Sequence, residues 1–286
     1  MRTLGITANC GKERAPIVLR KVAAKAKELG IELRADRSTA ALLGEAECVC
    51  VQDGFRGVDA VMALGGDGTV LRAVREMSGR DVPVIGLNIG GLGFLTSVAE
   101  EDLERALECL ASGGVVYSDM TTIEGTVVRG GKEIARYRGL NEVMIGRGPT
   151  SRVVTLTVAI DGDNVTSYVC DGLIVSTPAG STGHSLSAGG PILTPETPAF
   201  VVSLICPHTL SSRPLVVPDG SLISVTAARS PGELLLSVDG QVGQRLLTGD
   251  AVQIRRSDKS VRFIHLPGYS YFAVLRQKLH WSGGNV

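Results

Sequence analysis

Residues 61–71, Val-Met-Ala-Leu-Gly-Gly-Asp-Gly-Thr-Val-Leu, set one carboxylate, Asp67, among Gly65, Gly66 and Gly68, with the hydroxyl of Thr69 next in line. An apolar run ending in glycines reads as a buried strand breaking into a turn. Glycine reaches positive φ without steric cost and lets a ligand approach the backbone, so the turn offers bare N–H groups beside a carboxylate. Residues 70–75 open a helix whose free N–H groups favour an anion, and Arg72 adds a positive charge just inside it. Phosphate suits such a place, but a carboxylate against phosphate is repelled unless a cation intervenes or it takes a proton from an attacking hydroxyl. Both exceptions belong to phosphoryl transfer. The same residues also suit a plain strand-to-helix turn with Asp67 as N-cap, and a motif this short does not choose between the two.

The elements that must position these residues follow from periodicity. Strands are expected at 3–8, 31–35 and 82–87, and helices at 15–29, ending at Gly30, and at 101–110. Strand, helix and strand at this spacing build a parallel sheet. The strand at 82–87 runs into a second glycine loop, Asn88-Ile89-Gly90-Gly91-Leu92-Gly93-Phe94-Leu95, in which Thr96 stands where a dinucleotide fingerprint needs its third glycine. Following a strand of the same sheet, this loop should meet Asp67 at the carboxyl edge. Residues 5–13 look like a phosphate loop. One residue too many precedes Gly11-Lys12, and Glu13 replaces the Ser or Thr that would hold magnesium, so that reading is rejected.

From Met120 the period changes to alternation, with strand-like runs at 122–129, 133–138, 153–160, 167–176, 200–206, 221–227, 234–238 and 251–255. The chain is therefore expected to hold an α/β domain with a mainly parallel sheet over 1–118, then a mostly antiparallel β domain from 119, with a cleft between them. Three polar islands interrupt the second domain: Asn141-Glu142, Asp171-Gly172, and the Gly- and Ser-rich stretch 177–191. Within the last, Gly183-His184-Ser185-Leu186-Ser187 nearly spells a hydrolase nucleophile elbow, but its final glycine is missing and no histidine is tied to Ser185.

Taken in order, these segments resemble one family. Gly65-Gly66-Asp67-Gly68-Thr69 is similar to the signature of the NAD kinases and, more loosely, of diacylglycerol kinases, sphingosine kinases and phosphofructokinases. Residues 90–95 resemble the NAD kinases' Gly-x-Leu-Gly-Phe-Leu segment, Asn141-Glu142 and Asp171-Gly172 their Asn-Glu and Asp-Gly pairs, and Thr177-Pro178-Ala179-Gly180-Ser181-Thr182-Gly183-His184-Ser185-Leu186-Ser187-Ala188-Gly189-Gly190-Pro191 their longest motif. Asp239-Gly240-Gln241 and the closing residues 269–281 match later segments, which sets the second domain at 119–268 and has 269–286 returning to the first. The resemblance implies transfer of the γ-phosphoryl group of ATP to the 2′-hydroxyl of the adenosine ribose of NAD, giving NADP, with magnesium bridging the ATP oxygens. A ribose hydroxyl is a poor nucleophile, and Asp67 is assigned as its proton acceptor. Gly65, Gly66, Gly68, Thr69 and Arg72 are expected about the phosphates. The implied NAD contacts are Asp67, Gly68, Arg72, Phe94, Asn141, Glu142, Arg152, Asp171, Ala179, Thr182, Gly183, His184, Ser185, Leu186, Ser187 and Gln241, with Asn141 and Glu142 on ribose hydroxyls and Phe94 against a base. A neighbouring subunit completes the site in this family, so a homodimer or homotetramer is implied. The chain departs from the family at Ala179, in place of a hydroxyl residue, at Gly183, in place of alanine, and at His184, in place of tyrosine. Imidazole offers less stacking surface than phenol.

Composition narrows the partners. At 286 residues with equal numbers of basic and acidic side chains, the net charge is zero. That gives no footprint of a nucleic-acid binder and no polybasic membrane patch. No apolar run reaches the length of a bilayer span and residues 1–11 lack a signal peptide's hydrophobic stretch, so a cytoplasmic location is expected. The six cysteines show neither a disulfide framework nor zinc-ligand spacing, and no metal site made by the protein is expected. Two rival functions are weighed: a lipid kinase of the diacylglycerol or sphingosine type, which should carry an apolar or basic docking surface, and a dinucleotide-binding sensor without catalysis, against which an intact Asp67 argues.

Overall fold

In the computed structural model the described residues are 1–44, 47–51, 54–91, 93–149, 152–230 and 232–281. The chain divides into two units, Met1–Asp119 together with Val261–Val286, and Met120–Ser260. The first unit opens with β1 (Thr3–Ala8), α1 (Ala15–Glu28), β2 (Glu32–Ala35), α2 (Arg37–Leu43), β3 (Val49–Cys50), β4 (Ala60–Gly65), α3 (Asp67–Glu76), β5 (Val84–Asn88), α4 (Leu103–Ser112) and β6 (Val116–Met120). Every residue of β4 and of β5 is buried, as expected of parallel strands covered on both faces. Helix α1 buries Val18, Leu19, Val22 and Ala26, a stripe at helical spacing, with charged residues between. Helix α2, which periodicity did not reveal, is set by its cap: the Asp36 carboxylate accepts from the Thr39 N–H (2.9 Å).

The second unit is mainly β among the described residues, with a 3-10 turn at Ala179–Thr182 leading into one short helix: β7 (Ile123–Arg129), β8 (Lys132–Gly139), β9 (Glu142–Arg147), β10 (Val154–Ile160), β11 (Asp163–Cys170), β12 (Gly172–Ser176), α5 (His184–Ser187), β13 (Ala199–Ile205), β14 (Leu215–Pro218), β15 (Ile223–Arg229), β16 (Leu234–Val238), β17 (Val242–Leu246) and β18 (Ala251–Arg256). They form two antiparallel sheets, ordered β11-β10-β15-β18-β7-β8 and β14-β13-β12-β9-β16-β17. One apolar face of each meets the other in a shared core that includes Ile123, Leu156 and Ile254 from the first and Val143, Val175 and Phe200 from the second. The single strand expected at 167–176 is in fact two. The chain changes sheets at Asp171, whose N–H donates to the Ile205 carbonyl and whose carbonyl accepts from the Arg147 N–H, both at 2.9 Å.

The chain then returns to the first unit with β19 (Val261–His265) and α6 (Tyr271–Lys278). This return begins at Val261, ahead of the boundary drawn at 269, because Val261, Phe263 and Ile264 are buried in that unit. The completed sheet runs β3-β2-β1-β4-β5-β19-β6, and β19 lies parallel to β5. His265 closes β19 with its ring stacked on Tyr269 (3.8 Å), its Nε2 2.7 Å from Ser118 Oγ and its Nδ1 3.3 Å from Ser97 Oγ. Burial pushes its pKa down to about 4, so the ring is neutral. Strand order reverses between β1 and β4, and the crevice outside the carboxyl ends at such a switch point is where open α/β sheets take ligands.

Candidate active site

Three loops are tied together at that edge. The Asn9 N–H donates to the Leu64 carbonyl (2.9 Å) and the Ile89 N–H to the Gly65 carbonyl (3.0 Å), joining the ends of β1, β4 and β5. Gly66, not Asp67, is the N-cap of α3, so Asp67 opens the helix with its side chain free for another task. Its carboxylate accepts from the Phe94 N–H at Oδ2 and the Leu95 N–H at Oδ1, both at 2.9 Å. A Cβ on Gly93 would stand 1.9 Å from that Oδ1. The second glycine loop is therefore a seat for Asp67, and each carboxylate oxygen keeps a lone pair for a further donor.

The glycines of the first motif serve a purpose other than positive φ, which none of Gly65, Gly66 and Gly68 adopts. A Cβ at Gly65 would meet Thr69 Oγ1 at 2.2 Å, while beside Gly66 and Gly68 the space is open. A ligand can approach the Cα of either glycine closely. Thr69 is buried over Gly65, and Arg72 turns back to brace β1, donating to Thr7 Oγ1 (2.8 Å) and the Ala8 carbonyl (2.7 Å), with Glu76 4.0 Å from its Nε. Phe94 is half-buried, with Lys278 Nζ 5.5 Å from its ring centre.

A second cluster forms in the β unit. Pairing of β9 with β12 sets Glu142 opposite Ser176, and beyond it the Thr177 N–H donates to the Asn141 carbonyl (2.8 Å) and Thr177 Oγ1 to the Leu140 carbonyl (2.6 Å). At Gly180 a Cβ would stand 2.2 Å from the Asn141 carbonyl oxygen, so the approach of the two segments requires glycine. The β16–β17 hairpin turns through Asp239, Gly240 and Gln241, the first two at positive φ, and the Gln241 N–H donates to the Val238 carbonyl (3.0 Å). The Asp239 carboxylate accepts from the N–H groups of Leu140 (2.8 Å), Asn141 (2.8 Å) and Glu142 (3.0 Å), and Gln241 follows on the same turn. Asn141, Glu142, Gln241 and residues 179–187 are thus brought together.

Inside this cluster Asn141 Oδ1 and Glu142 Oε2 are buried with no hydrogen-bond partner. Gly183 lies over both, its ideal Cβ 3.8 Å from Asn141 Nδ2 and 3.9 Å from Glu142 Oε2. Orphaned buried polar atoms are costly, and a pair of them marks a place that a polar ligand or its water completes. Glu142 is 8% exposed, and burial, helped by the charge of Asp239, pushes its carboxyl up to about 7. The serines divide. Ser185 is buried with its hydroxyl 3.0 Å from Ser203 Oγ, tying α5 to β13, whereas His184 and Ser187 are exposed and Ala179, Thr182, Gly183 and Leu186 partly so.

Family profiles described as ATP-NAD kinase N-terminal domain and ATP-NAD kinase C-terminal domain match residues 6–115 and 140–266. An NAD kinase of Syntrophotalea carbinolica is 40% identical over 98% of this chain and 99% of its own length. The chain belongs to the NAD kinase family. Another relative, an NAD kinase of Gemmatimonas aurantiaca, is 40% identical over 98% of this chain and 96% of its own. Among solved structures, the yeast NADH kinase complexed with NADH superposes with a TM-score of 0.91 at 23% identity, covering 100% of this chain and 89% of that one. An NAD kinase from Archaeoglobus fulgidus in complex with ATP follows at 0.77 and 23%, covering 99% and 100%. At that identity the likeness speaks for the fold.

Two expected family positions stand apart from the Asn141–Glu142 cluster within the β unit. Asp171 precedes β12 whereas Thr177 follows it, and five extended residues separate the ends by about 17 Å. Its carboxylate pairs with Arg147, Nε to Oδ1 at 2.8 Å and Nη2 to Oδ2 at 3.1 Å, and the guanidinium holds it below the usual carboxylate range. Arg152 is exposed at the same end, since the register sets Val154 opposite Cys170. Sequence reasoning missed Gly93 as the seat of Asp67, Asp239 as the anchor of Asn141 and Glu142, and Lys12, whose Nζ reaches the Ile89 carbonyl. Among the described residues no group of three His, Cys, Asp or Glu side chains could hold a metal ion, and no helix is long and apolar enough to cross a membrane.

Proposed function

We propose that this chain transfers the γ-phosphoryl group of ATP to the 2′-hydroxyl of the adenosine ribose of NAD. The observation that carries the reading is the Asp67 carboxylate, aimed by the Phe94 and Leu95 amides and flanked by bare glycine backbone. As the ribose oxygen bonds to the γ-phosphorus and the bridge to the β-phosphate breaks, Asp67 takes the hydroxyl proton and later yields it to solvent. The Gly66 and Gly68 backbone is open to the phosphates. Asn141 and Glu142 hold ribose hydroxyls, which would satisfy their orphaned oxygens. Magnesium enters with ATP as part of the substrate, shielding the phosphate charge; the described side chains supply no cage of their own. Asp171 and Arg152 serve the site of a second copy, in a homodimer or homotetramer, a reading supported by their distance along β12 from Asn141 in the same chain.

The test is direct. Purified protein given NAD, ATP and magnesium should make NADP, and Asp67→Asn should lower turnover by about two to four orders of magnitude while NAD still binds. Near-normal turnover in that variant would remove Asp67 from the role of base; no NADP from the natural chain would overturn the reaction itself.

A further inference from the structure

We propose that Lys12 is a phosphate-binding residue of this site, which grips the phosphoanhydride chain of the donor; the proposal rests on the phosphotransfer reading above. The segment after β1 turns sharply, with the Gly11 N–H donating to Asn9 Oδ1 (3.2 Å) and the Lys12 N–H to the Asn9 carbonyl (3.1 Å). From that turn the half-buried Lys12 side chain crosses to the loop after β5, where its ammonium donates to the Ile89 carbonyl. Gly90 makes room for it: its ideal Cβ would lie 3.1 Å from Nζ, and its φ of 123° is one that other residues rarely adopt. The spacing of residues 5–13 excludes a phosphate loop. The fold delivers the lysine to the glycine edge by another route.

What singles out Lys12 is its missing counter-ion. Arg14 is tied to Glu100 at 2.7 Å, and Arg72 donates from Nη2 to Thr7 and Ala8, while its buried Nε makes no hydrogen bond and has the Glu76 carboxylate 4.0 Å away as counter-ion. Among the described residues no carboxylate pairs with Lys12, and one carbonyl leaves two of its three N–H donors unused. A second observation comes from Asn88, the residue before Ile89. It is 4% exposed, yet its Oδ1 has no partner, so the edge is short of a hydrogen-bond donor, which a hydroxyl of a bound nucleotide or a water can supply. Fixed by one bond and unneutralised, a lysine ammonium beside open glycine backbone is suited to a polyanion, whose charge shifts toward the leaving phosphate during transfer.

Two variants of the full chain separate charge from structure. Lys12→Gln can keep a donor to the Ile89 carbonyl without the charge, and Lys12→Arg keeps the charge. Lys12→Gln should raise KM for ATP about tenfold or more and lower kcat, leave KM for NAD within about twofold, and weaken calorimetric binding of both ATP and inorganic tripolyphosphate in parallel; Lys12→Arg should recover most of each. Unchanged tripolyphosphate binding in a folded Lys12→Gln protein overturns the proposal, and so does a loss confined to ATP, which would mean that Lys12 reads the nucleoside. If the natural chain makes no NADP, the reaction reading fails, while the tripolyphosphate measurement still decides whether Lys12 binds phosphate.

Discussion

Glu142 is a carboxyl held where its charge is unwelcome. In the unfolded chain it titrates near its ordinary value of 4.5, and in the fold near 7, because burial and the neighbouring Asp239 charge disfavour ionisation. Between those values the folded state binds a proton that the unfolded state has lost, so stability falls as pH rises through the window and the full penalty is present above 7. Glu142→Gln should therefore be the more stable protein at pH 8, by up to about 3 kcal/mol, with the gap closing below pH 5. Urea melts of both proteins across that range check it: a gap independent of pH would mean that Glu142 ionises freely. Asn141 and Glu142 were legible in the sequence as a polar pair after an alternating run. Their orphaned state was not, because it depends on Asp239 arriving from a distant hairpin and on Gly183 closing over them, and neither leaves a mark near residue 141.

The element that does most for Asp67 is the loop after β5. Its amides of Phe94 and Leu95 aim the carboxylate, and Thr96 Oγ1 accepts from the Gly93 N–H (3.0 Å) to hold the turn. A methyl group at 93 would collide with Asp67 Oδ1 and press on Thr96 Oγ1, 1.9 and 2.6 Å from the ideal Cβ. Gly93→Ala should thus cut kcat by about a hundredfold, as misplacement of a reacting group by an ångström does, with little change in melting temperature. A large loss of stability with normal kcat per folded molecule would contradict this account. Strands announced themselves by alternation and by unbroken apolar runs, so most of the sheet could be read in advance. The reason for each glycine could not: spacing cannot distinguish a residue chosen for φ from one chosen because Thr69 or a carboxylate stands opposite.

At the scale of the whole molecule, Asp67 and Asp171 make the second copy testable. If each site takes Asp171 from a partner, a mixed dimer of Asp67→Asn and Asp171→Ala chains holds one site with both changes and one with neither. After subunit exchange, an equal mixture should regain about a quarter of natural activity at low NAD, where either variant alone is nearly silent. A mixture no better than the average of its parts would assign Asp171 to its own chain or to structure alone. The order of the first sheet carries a different consequence, one for biosynthesis. Because β19 lies between β5 and β6, that sheet is finished only after the whole second unit has been made. A nascent chain that has not yet emerged past His265 leaves the outer edge of β5 unpaired and Ser97, four residues after the glycine of the Asp67 seat, without its imidazole partner. The β unit, continuous in sequence, can fold on the ribosome while the unit that bears Asp67 waits. The sheet that carries Asp67 is in this way completed only in chains translated past β19, and a chain terminated before it presents an open strand edge to proteases and chaperones.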